Sequence, residues 1–299
     1  MSTIYPSKPK KGLTKYGNNF RWWDKGFSRD QMAVQVREDV ERLTHNFTPY
    51  FKNYALNAAT YFGGAPEGSY GTANRYGYAN KNLRLTDNVT ESCVDALLAR
   101  LAKNFPTVSF QVQEGDWTAD RLADLAQNFV ESVFWEVKHE DLGMRRSADC
   151  MIFGNGFIHW DIDRDKKTIC ADLFHAFELI VDYDEAAMGT PESIHILKVC
   201  NKYLLADKYP EHADDILKAE YTTSLFWYML NHNTTIDSDM VIMVESYSRA
   251  GKRHTKTCGT ACLLDEEWTM TGPNGEICFP ISNQTYKTGL GWLSQGMVQ

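Results

Sequence analysis

The sequence lacks a long apolar run, and its first residues lack the apolar centre of a secretion signal. Met1–Lys11 combine Ser, Pro and Lys, so they predict no signal peptide. No apolar stretch approaches the roughly 20 residues that a membrane-spanning helix needs, which predicts a protein that makes no membrane contact. Internal repeats and heptads are also missing from the sequence, and this excludes solenoids and long coiled coils.

Basic charge is scarce. The chain has 31 Lys and Arg against 39 Asp and Glu, a formal net charge of −8. Non-specific binding to nucleic acids depends on clustered cations that neutralise phosphates, so this balance argues against an ordinary DNA-binding domain. An acidic surface could still face DNA repulsively, as the wall of a conduit would, and charge alone does not separate that role from simple solubility.

Recognisable catalytic motifs are absent: the sequence has no P-loop, no kinase motif set and no His-Glu-x-x-His. His159, His175 and His195 fall on predicted strands without an evident Ser or Cys partner. The glycines Gly154 and Gly156 follow a predicted helix and precede a strand, the reverse of a phosphate-binding loop, so they predict a helix end. We therefore expect no catalytic and no cofactor-binding residues, and no enzyme.

One pattern begins like a calcium loop. Asp161, Asp163 and Asp165 alternate along the chain, and Asp172 stands at the twelfth position. Lys166 occupies the place where glycine makes the sharp turn, and the last ligand is Asp instead of Glu. The same spacing suits a strand that carries carboxylates into a polar turn, which we favour over a metal site.

Other polar groups have an equally ordinary explanation. His254, Cys258 and Cys262, with Cys278 further on, offer soft ligands, but their spacing is not that of a known zinc site. The 7 cysteines are odd in number and scattered, as reduced packing residues are. The acidic run Asp182–Glu185 could do acid–base work but better suits a capped turn. We predict no metal-binding residues.

Apolar residues make up 43% of the chain and aromatic residues 13%, enough for a large core and for subunit interfaces. Ser28 is a predicted N-cap for a long helix that ends by Gly63. Further helices are predicted at 87–103, after Asp116, and up to Phe153 with a break at Gly143. The predicted apolar stripes of the first three helices are Met32, Val36, Val40, Leu43, Phe47 and Tyr50; Val89, Cys93, Val94, Leu97 and Leu101; and Leu122, Leu125, Ala126, Phe129, Val130, Val133 and Val137.

Alternating and β-branched segments predict strands in the second half of the chain. The fold class is therefore α+β, with long amphipathic helices and antiparallel β-sheets. A loop is predicted at 63–80, and short helices at 203–209, 213–220 and 222–231. The predicted strands are 107–112; one set at 156–162, 168–173 and 179–181; and 193–202, 240–248, 255–258, 260–264 and 278–282.

Read in order, several segments resemble the portal (head-to-tail connector) proteins of tailed bacteriophages, especially the short-tailed type. The resemblance covers about residues 30–299 and rests on the succession of the segments. The matching segments are Asn88–Asp95 with Leu101 and Pro106, Asp149–Ile158, Phe177–Asp184, Tyr209–Pro210, Val244–Tyr247, Leu264–Trp268 and Phe279–Ile281.

The resemblance implies a structural role in the virion. Portal proteins form rings, usually of twelve copies, at one capsid vertex, and double-stranded DNA passes through the channel during packaging and ejection. The resemblance also implies contacts with the major capsid protein, the terminase motor and tail adaptor proteins. The expected location is the capsid vertex, with the host cytoplasm as the site of assembly, and no membrane contact is expected.

The resemblance also divides the chain into an N-terminal arm (1–29), a wing-like α/β region (30–288) and a lead-in to the stem (289–299). Stem, clip and crown are not matched, so a second portal chain that carries stem and clip is an expectation. Two alternatives stay open. One is a metal-dependent phosphodiester hydrolase that uses the four Asp ligands, and the other is a generic intracellular interaction domain.

Overall fold

A computed structural model describes residues 21–24, 26–62, 88–103, 107–112, 115–164, 166–219, 239–287, 291–294 and 296–297. The predicted loop at 63–80, the predicted helix at 222–231, Asp165 and most of the arm lie outside these residues. Among the helices that are described, none is both long enough and apolar enough to span a bilayer.

Long helices come first, and their sequence signals explain where they begin. The prediction of Ser28 as the N-cap of the first helix is confirmed, because its hydroxyl accepts from Gln31 N while the Gln31 side chain accepts from Ser28 N. Asp116 caps another helix by accepting from Ala119 N at 3.1 Å. The long helices are α1 (Arg29–Tyr61), α2 (Val89–Lys103), α3 (Trp117–Glu136) and α4 (His139–Phe153).

Two antiparallel sheets follow, so the α+β class is confirmed. The three-stranded sheet has the order β2-β1-β8, and the five-stranded sheet has the order β3-β4-β5-β6-β7. The strands are β1 (Asn155–Asp163), β2 (Thr168–Phe174), β3 (Leu179–Val181), β4 (Ser193–Asn201), β5 (Met240–Ser248), β6 (Arg253–Cys258), β7 (Ala261–Glu267) and β8 (Ile281–Thr285); short helices α5 (Tyr183–Met188), α6 (Lys202–Lys208) and α7 (Ala213–Lys218) lie between them.

The central strand β5 separates two layers of the molecule. Ser246 hydrogen-bonds His195, which contacts Asp39 of α1. The next residue, Tyr247, hydrogen-bonds His159 of β1. Because successive residues of a strand point to opposite faces, α1 covers one face of the five-stranded sheet and β1 covers the other.

The chain turns sharply where α4 meets β1, and later residues are fastened to this turn. Gly154 ends α4 with φ of 97°, which confirms the predicted helix end. Ser294 N donates to Asn155 Oδ1 at 2.8 Å, and Met297 N donates to Met151 O at 2.7 Å. Ser294 and Met297 are thereby bound to the junction between α4 and the three-stranded sheet.

Some predictions of secondary structure were wrong. Residues 107–112 form no strand; instead the Gln127 side chain accepts from Phe110 N and donates to Val108 O. Helix α4 runs through Gly143 without a break, and the chain breaks earlier, at Lys138, whose φ is 52°.

The three strands predicted as one set, at 156–162, 168–173 and 179–181, are divided between the two sheets. Two of them belong to the three-stranded sheet, while Leu179–Val181 pairs with β4 in the other sheet. The last strand begins at Ile281, after Pro280, whose nitrogen has no hydrogen to donate to a ladder.

Candidate functional site

The unit formed by α2, residues 107–112 and α3 has little cover from the rest of the chain. It is joined to the C-terminal end of α1, where Tyr61 Oη donates to Asp95 Oδ1 at 2.9 Å and Asn88 Nδ2 donates to Tyr61 O at 2.5 Å. Val94 is the buried residue of α2, and α3 has none. The unit therefore contributes surface more than core.

Part of the apolar stripe of α3 faces outwards. Leu122, Leu125 and Phe129 follow the helical repeat, yet 62%, 57% and 60% of these residues are exposed. Trp117 and Trp135 are exposed at the two ends of the helix. The other members of the predicted stripe, Ala126, Val130, Val133 and Val137, are half-buried, so the stripe of α3 is covered only in part in the single chain.

The stripe of α2 shows the same discrepancy. Val89 and Leu101 are largely exposed, Cys93 is exposed, and Leu97 is half-buried. The stripe of α1, by contrast, is confirmed, because Met32, Val36, Leu43 and Phe47 are buried and Val40 and Tyr50 are partly so. The exposed stripes are thus confined to the unit that projects from the end of α1.

An exposed apolar stripe of this kind is energetically unusual. Fully burying a Leu or Phe side chain contributes about 1.5–3 kcal/mol. Covering the exposed parts of Leu122, Leu125 and Phe129 would therefore contribute on the order of 4 kcal/mol before the entropy cost of association. Contiguous apolar patches on soluble proteins mark interaction surfaces, so α3 is the candidate interface.

A second candidate is a buried polar cluster around Glu245, on the face of β5 that meets β1. Glu245 Oε1 accepts from Tyr247 Oη at 2.7 Å and from His254 Nε2 at 3.0 Å. The ammonium of Lys256 lies 3.0 Å from the same oxygen. Lys198 Nζ approaches Oε2 at 3.0 Å as an ion pair, outside hydrogen-bond geometry.

The charge state of Glu245 follows from these contacts. Burial alone would raise the pKa of its carboxyl, but the His254 hydrogen bond and the ammonium groups of Lys198 and Lys256 outweigh burial and lower that pKa well below its usual range. Glu245 is therefore a carboxylate, which accepts a hydrogen bond from the hydroxyl of Tyr247. Burial and the nearby carboxylate raise the pKa of Tyr247, so this tyrosine stays protonated.

His159 completes the cluster from β1. Its Nε2 lies 3.0 Å from Tyr247 Oη, and its Nδ1 lies 3.3 Å from Lys198 Nζ. Burial, helped by the positive charge of Lys198, lowers the pKa of His159 to about 4. The neutral ring then donates from Nε2 to the tyrosine and accepts from the lysine at Nδ1.

Paired acids and bases of this kind can do acid–base chemistry when a substrate reaches them. Glu245 is 0% exposed, and His159 and Tyr247 are each 1% exposed, so the reactive atoms are closed off from solvent. The cluster instead joins the two sheets, because Lys256 also lies 3.5 Å from Asp161 of β1. We interpret it as a buried ionic connection between sheets.

A third arrangement lies on the opposite face of β5 and has the residue types of a hydrolase triad. Ser246 Oγ lies 2.8 Å from His195 Nδ1, and His195 Nε2 lies 3.2 Å from Asp39 Oδ2. The sequence alone does not indicate this Ser partner, since Asp39 and Ser246 are far apart in the chain. All three residues are buried, and the indole of Trp22 packs 5.7 Å from the imidazole. A substrate does not reach a nucleophile that is buried in this way. We interpret the arrangement as a set of hydrogen bonds that hold α1 on the five-stranded sheet.

The candidate metal ligands are not brought together. Among the residues that the structure describes, which exclude Asp165, no group of three or more His, Cys, Asp or Glu side chains could hold a metal ion. Asp163 accepts from Lys166 N, and Asp161 pairs with Lys256. His254 lies between two carboxylates, those of Glu245 and Glu266.

Cysteines and acids in the other predicted sites have structural roles. Burial raises the pKa of Cys258 and of Cys262 to about 11, which disfavours the thiolate needed for metal binding or nucleophilic attack. Asp182 caps α5 by accepting from Asp184 N and Glu185 N, as the interpretation of that acidic run predicted. His175, just after β2, pairs with Asp149 at 2.8 Å.

Comparison with known proteins adds no relative to these observations: no family model matches the chain, and no curated protein matches it.

Proposed function

We propose that this protein is a structural, non-catalytic subunit of a viral portal ring, with copies of itself as its neighbours. In this role it forms part of the conduit for genome packaging and ejection, and of the junction between head and tail. The ring, of twelve copies as the resemblance implies, would contact the capsid protein, the terminase motor and tail adaptors. A second portal chain would supply stem and clip, and double-stranded DNA would pass along the channel.

One observation carries the proposal: Leu122, Leu125 and Phe129 follow the helical repeat of α3 but are exposed in the single chain. A helix selected only for solubility does not need Leu122, Leu125 and Phe129 on one outward face. A subunit of a ring does, because each heterologous contact must bury an apolar surface against a different surface of the next copy.

The closed polar clusters support a structural role over a catalytic one. The Glu245 cluster lies at the contact of β5 with β1, and the His195 cluster lies at the contact of β5 with α1. The polar groups of both clusters make contacts inside the protein. A subunit that transmits load between neighbours benefits from layers joined in this way, while an enzyme needs an accessible group.

The proposal is tested by the assembly state of the full chain. Mass photometry and negative-stain imaging, with the chain alone and with the product of the neighbouring reading frame, should show rings. Leu125→Asp on α3 should lower the fraction of assembled chain at least tenfold, since it places a charge in an apolar contact.

Leu204→Asp is the matched control, because Leu204 is also exposed, at 71%, but lies on α6. We expect it to leave assembly unchanged while circular dichroism shows both variants folded. A chain that stays monomeric under all of these conditions, or equal behaviour of the two variants, contradicts the proposal.

A further inference from the structure

Three buried side-chain atoms between α1 and the five-stranded sheet have no hydrogen-bond partner in the part of the chain that the structure describes. They are Trp22 Nε1, Gln35 Oε1 and Thr255 Oγ1. Trp22 and Thr255 are each 0% exposed. The large majority of buried side-chain polar atoms in folded proteins bond to the protein or to an ordered water molecule. Three such atoms in one layer therefore point to a bound molecule.

Strand register places Thr255 in a row of polar residues on the face of the sheet that α1 covers. His195, Ser246, Thr255 and Asp265 are direct cross-strand partners in β4, β5, β6 and β7. His195 and Ser246 bond each other, and Asp265 accepts from Arg253 through both carboxylate oxygens. Within the described residues, Thr255 is thus the member of this row whose side chain has no partner.

Trp22 lies over the same row. The centroid of its ring is 5.7 Å from that of His195, and two residues later Asp24 O accepts from Arg253 Nη1 at 3.0 Å. The chain therefore crosses the row from β4 towards β6. Thr255 follows Arg253 by two residues and points to the same face of β6. The indole N–H and the threonine hydroxyl consequently share one layer.

Gln35 enters this layer from α1. It follows Met32 by three residues and precedes Asp39 by four, so the three side chains lie on one face of the helix. Asp39 Oδ2 lies 3.2 Å from His195 Nε2, and Met32 belongs to the same buried cluster as Trp22. The oxygen of Gln35 is therefore buried in the contact between helix and sheet, although the residue itself is partly exposed.

The three atoms match the hydrogen-bonding capacity of one water molecule. An indole N–H only donates, an amide oxygen only accepts, and a hydroxyl does either. Water can accept from Trp22 Nε1 and donate to Gln35 Oε1 and Thr255 Oγ1, which makes the three bonds typical of buried water. A cation would face the indole N–H, and an anion would face the amide oxygen, so the set favours a neutral molecule.

We propose that an ordered water molecule binds between α1 and the five-stranded sheet and links Trp22, Gln35 and Thr255. It bonds the indole to the sheet, and with it the segment that leads into α1, in addition to the packing of the ring. The site does not depend on the proposed ring of subunits, because all three residues belong to one chain.

The direction of the Thr255→Val effect tests the site. With water bound, the loss of the hydroxyl removes one of its bonds, and the folding equilibrium constant of the full chain should fall about fivefold or more in urea titrations. In a dry contact, this isosteric change removes an unpaired polar group, so the constant would stay the same or rise, which would overturn the proposal. Thr285→Val, at an exposed strand position, is the matched control and should change the constant by less than about threefold.

A double-mutant cycle tests whether one molecule is shared. Gln35 and Thr255 do not bond each other, so in a dry contact the effects of Gln35→Met and Thr255→Val should be independent. A shared water makes the second loss smaller than the first, and the double variant should be about threefold or more better folded than the product of the single effects predicts. Independent effects would count against the shared water and overturn the proposal.

A high-resolution crystal structure of the full chain locates the molecule directly. It should show one water at hydrogen-bond distance from Trp22 Nε1, Gln35 Oε1 and Thr255 Oγ1. Direct bonds among the three side chains, a contact without water, or an ion at this position would each overturn the proposal.

Discussion

Replacing Glu245 by Gln tests whether the buried cluster holds the two sheets together. The substitution keeps the shape of the side chain but removes the negative charge that faces Lys198, Lys256 and His254. Breaking a buried ion pair at one partner costs about 3–5 kcal/mol, because the remaining charges stay buried without compensation. Here Lys198 and Lys256 are partly exposed and can reach water, which places the expected loss near the lower end of that range, at about 3 kcal/mol.

The assay is urea unfolding at neutral pH, followed by tryptophan fluorescence and circular dichroism. A loss of about 3 kcal/mol shifts the midpoint while the slope stays constant if only the native state has changed. Glu192→Gln, at an exposed carboxylate, is the matched control and should change the unfolding free energy by less than about 0.5 kcal/mol.

Adding Lys256→Met to Glu245→Gln should recover part of the loss, because it removes one of the uncompensated charges from the cluster. A loss below about 1 kcal/mol for Glu245→Gln alone would refute the reasoning, since it would mean that the cluster is solvated and contributes little.

Two further substitutions follow from the same structure. The folded pKa of His159, about 4, lies below the ordinary value of 6.5, so the unfolded chain binds the proton more readily, and stability present above pH 6.5 falls by up to about 3 kcal/mol as the pH approaches 4. His159→Gln should flatten this part of the stability profile in urea titrations at several pH values, and an unchanged slope would contradict it. Gly156→Ala should lower the midpoint of thermal unfolding by several degrees, because its added carbon would lie 2.1 Å from Arg146 O. Gly189→Ala, whose added carbon meets open space, should not lower it.

Local signals predicted much of the fold. Ser28 with Gln31, Asp116 and Gly154 mark helix ends through contacts within a few residues, and the structure confirms these three boundaries. Strands were predicted where β-branched residues alternate, and Leu179–Val181 and Met240–Ser248 were predicted with the observed bounds. What failed were properties that depend on a distant partner, such as a strand at 107–112, for which the described residues provide no strand with which to pair.

The candidate site was less predictable for the same reason. The helical repeat of Leu122, Leu125 and Phe129 indicates an apolar face, but it does not say whether the same chain or another one covers that face. The cluster around Glu245 draws its members from β1, β4, β5 and β6. Strand register aligns the members on β4, β5 and β6, and the packing of the two sheets adds His159 of β1. The sequence does contain a signal for this polar cluster, because Glu245 interrupts an apolar strand and the next strand contains His254 and Lys256.

The fastening of residues 291–297 to the end of α4 has a mechanical consequence. Met297 N donates to Met151 O of α4, Ser294 N donates to Asn155 Oδ1 of β1, and Trp292 N donates to Ala186 O of α5. Tension applied through Met297 would be shared among these bonds and passed to α4, α5 and the three-stranded sheet together. The junction at Gly154 is therefore the point through which a pull from the C-terminal side enters the sheet.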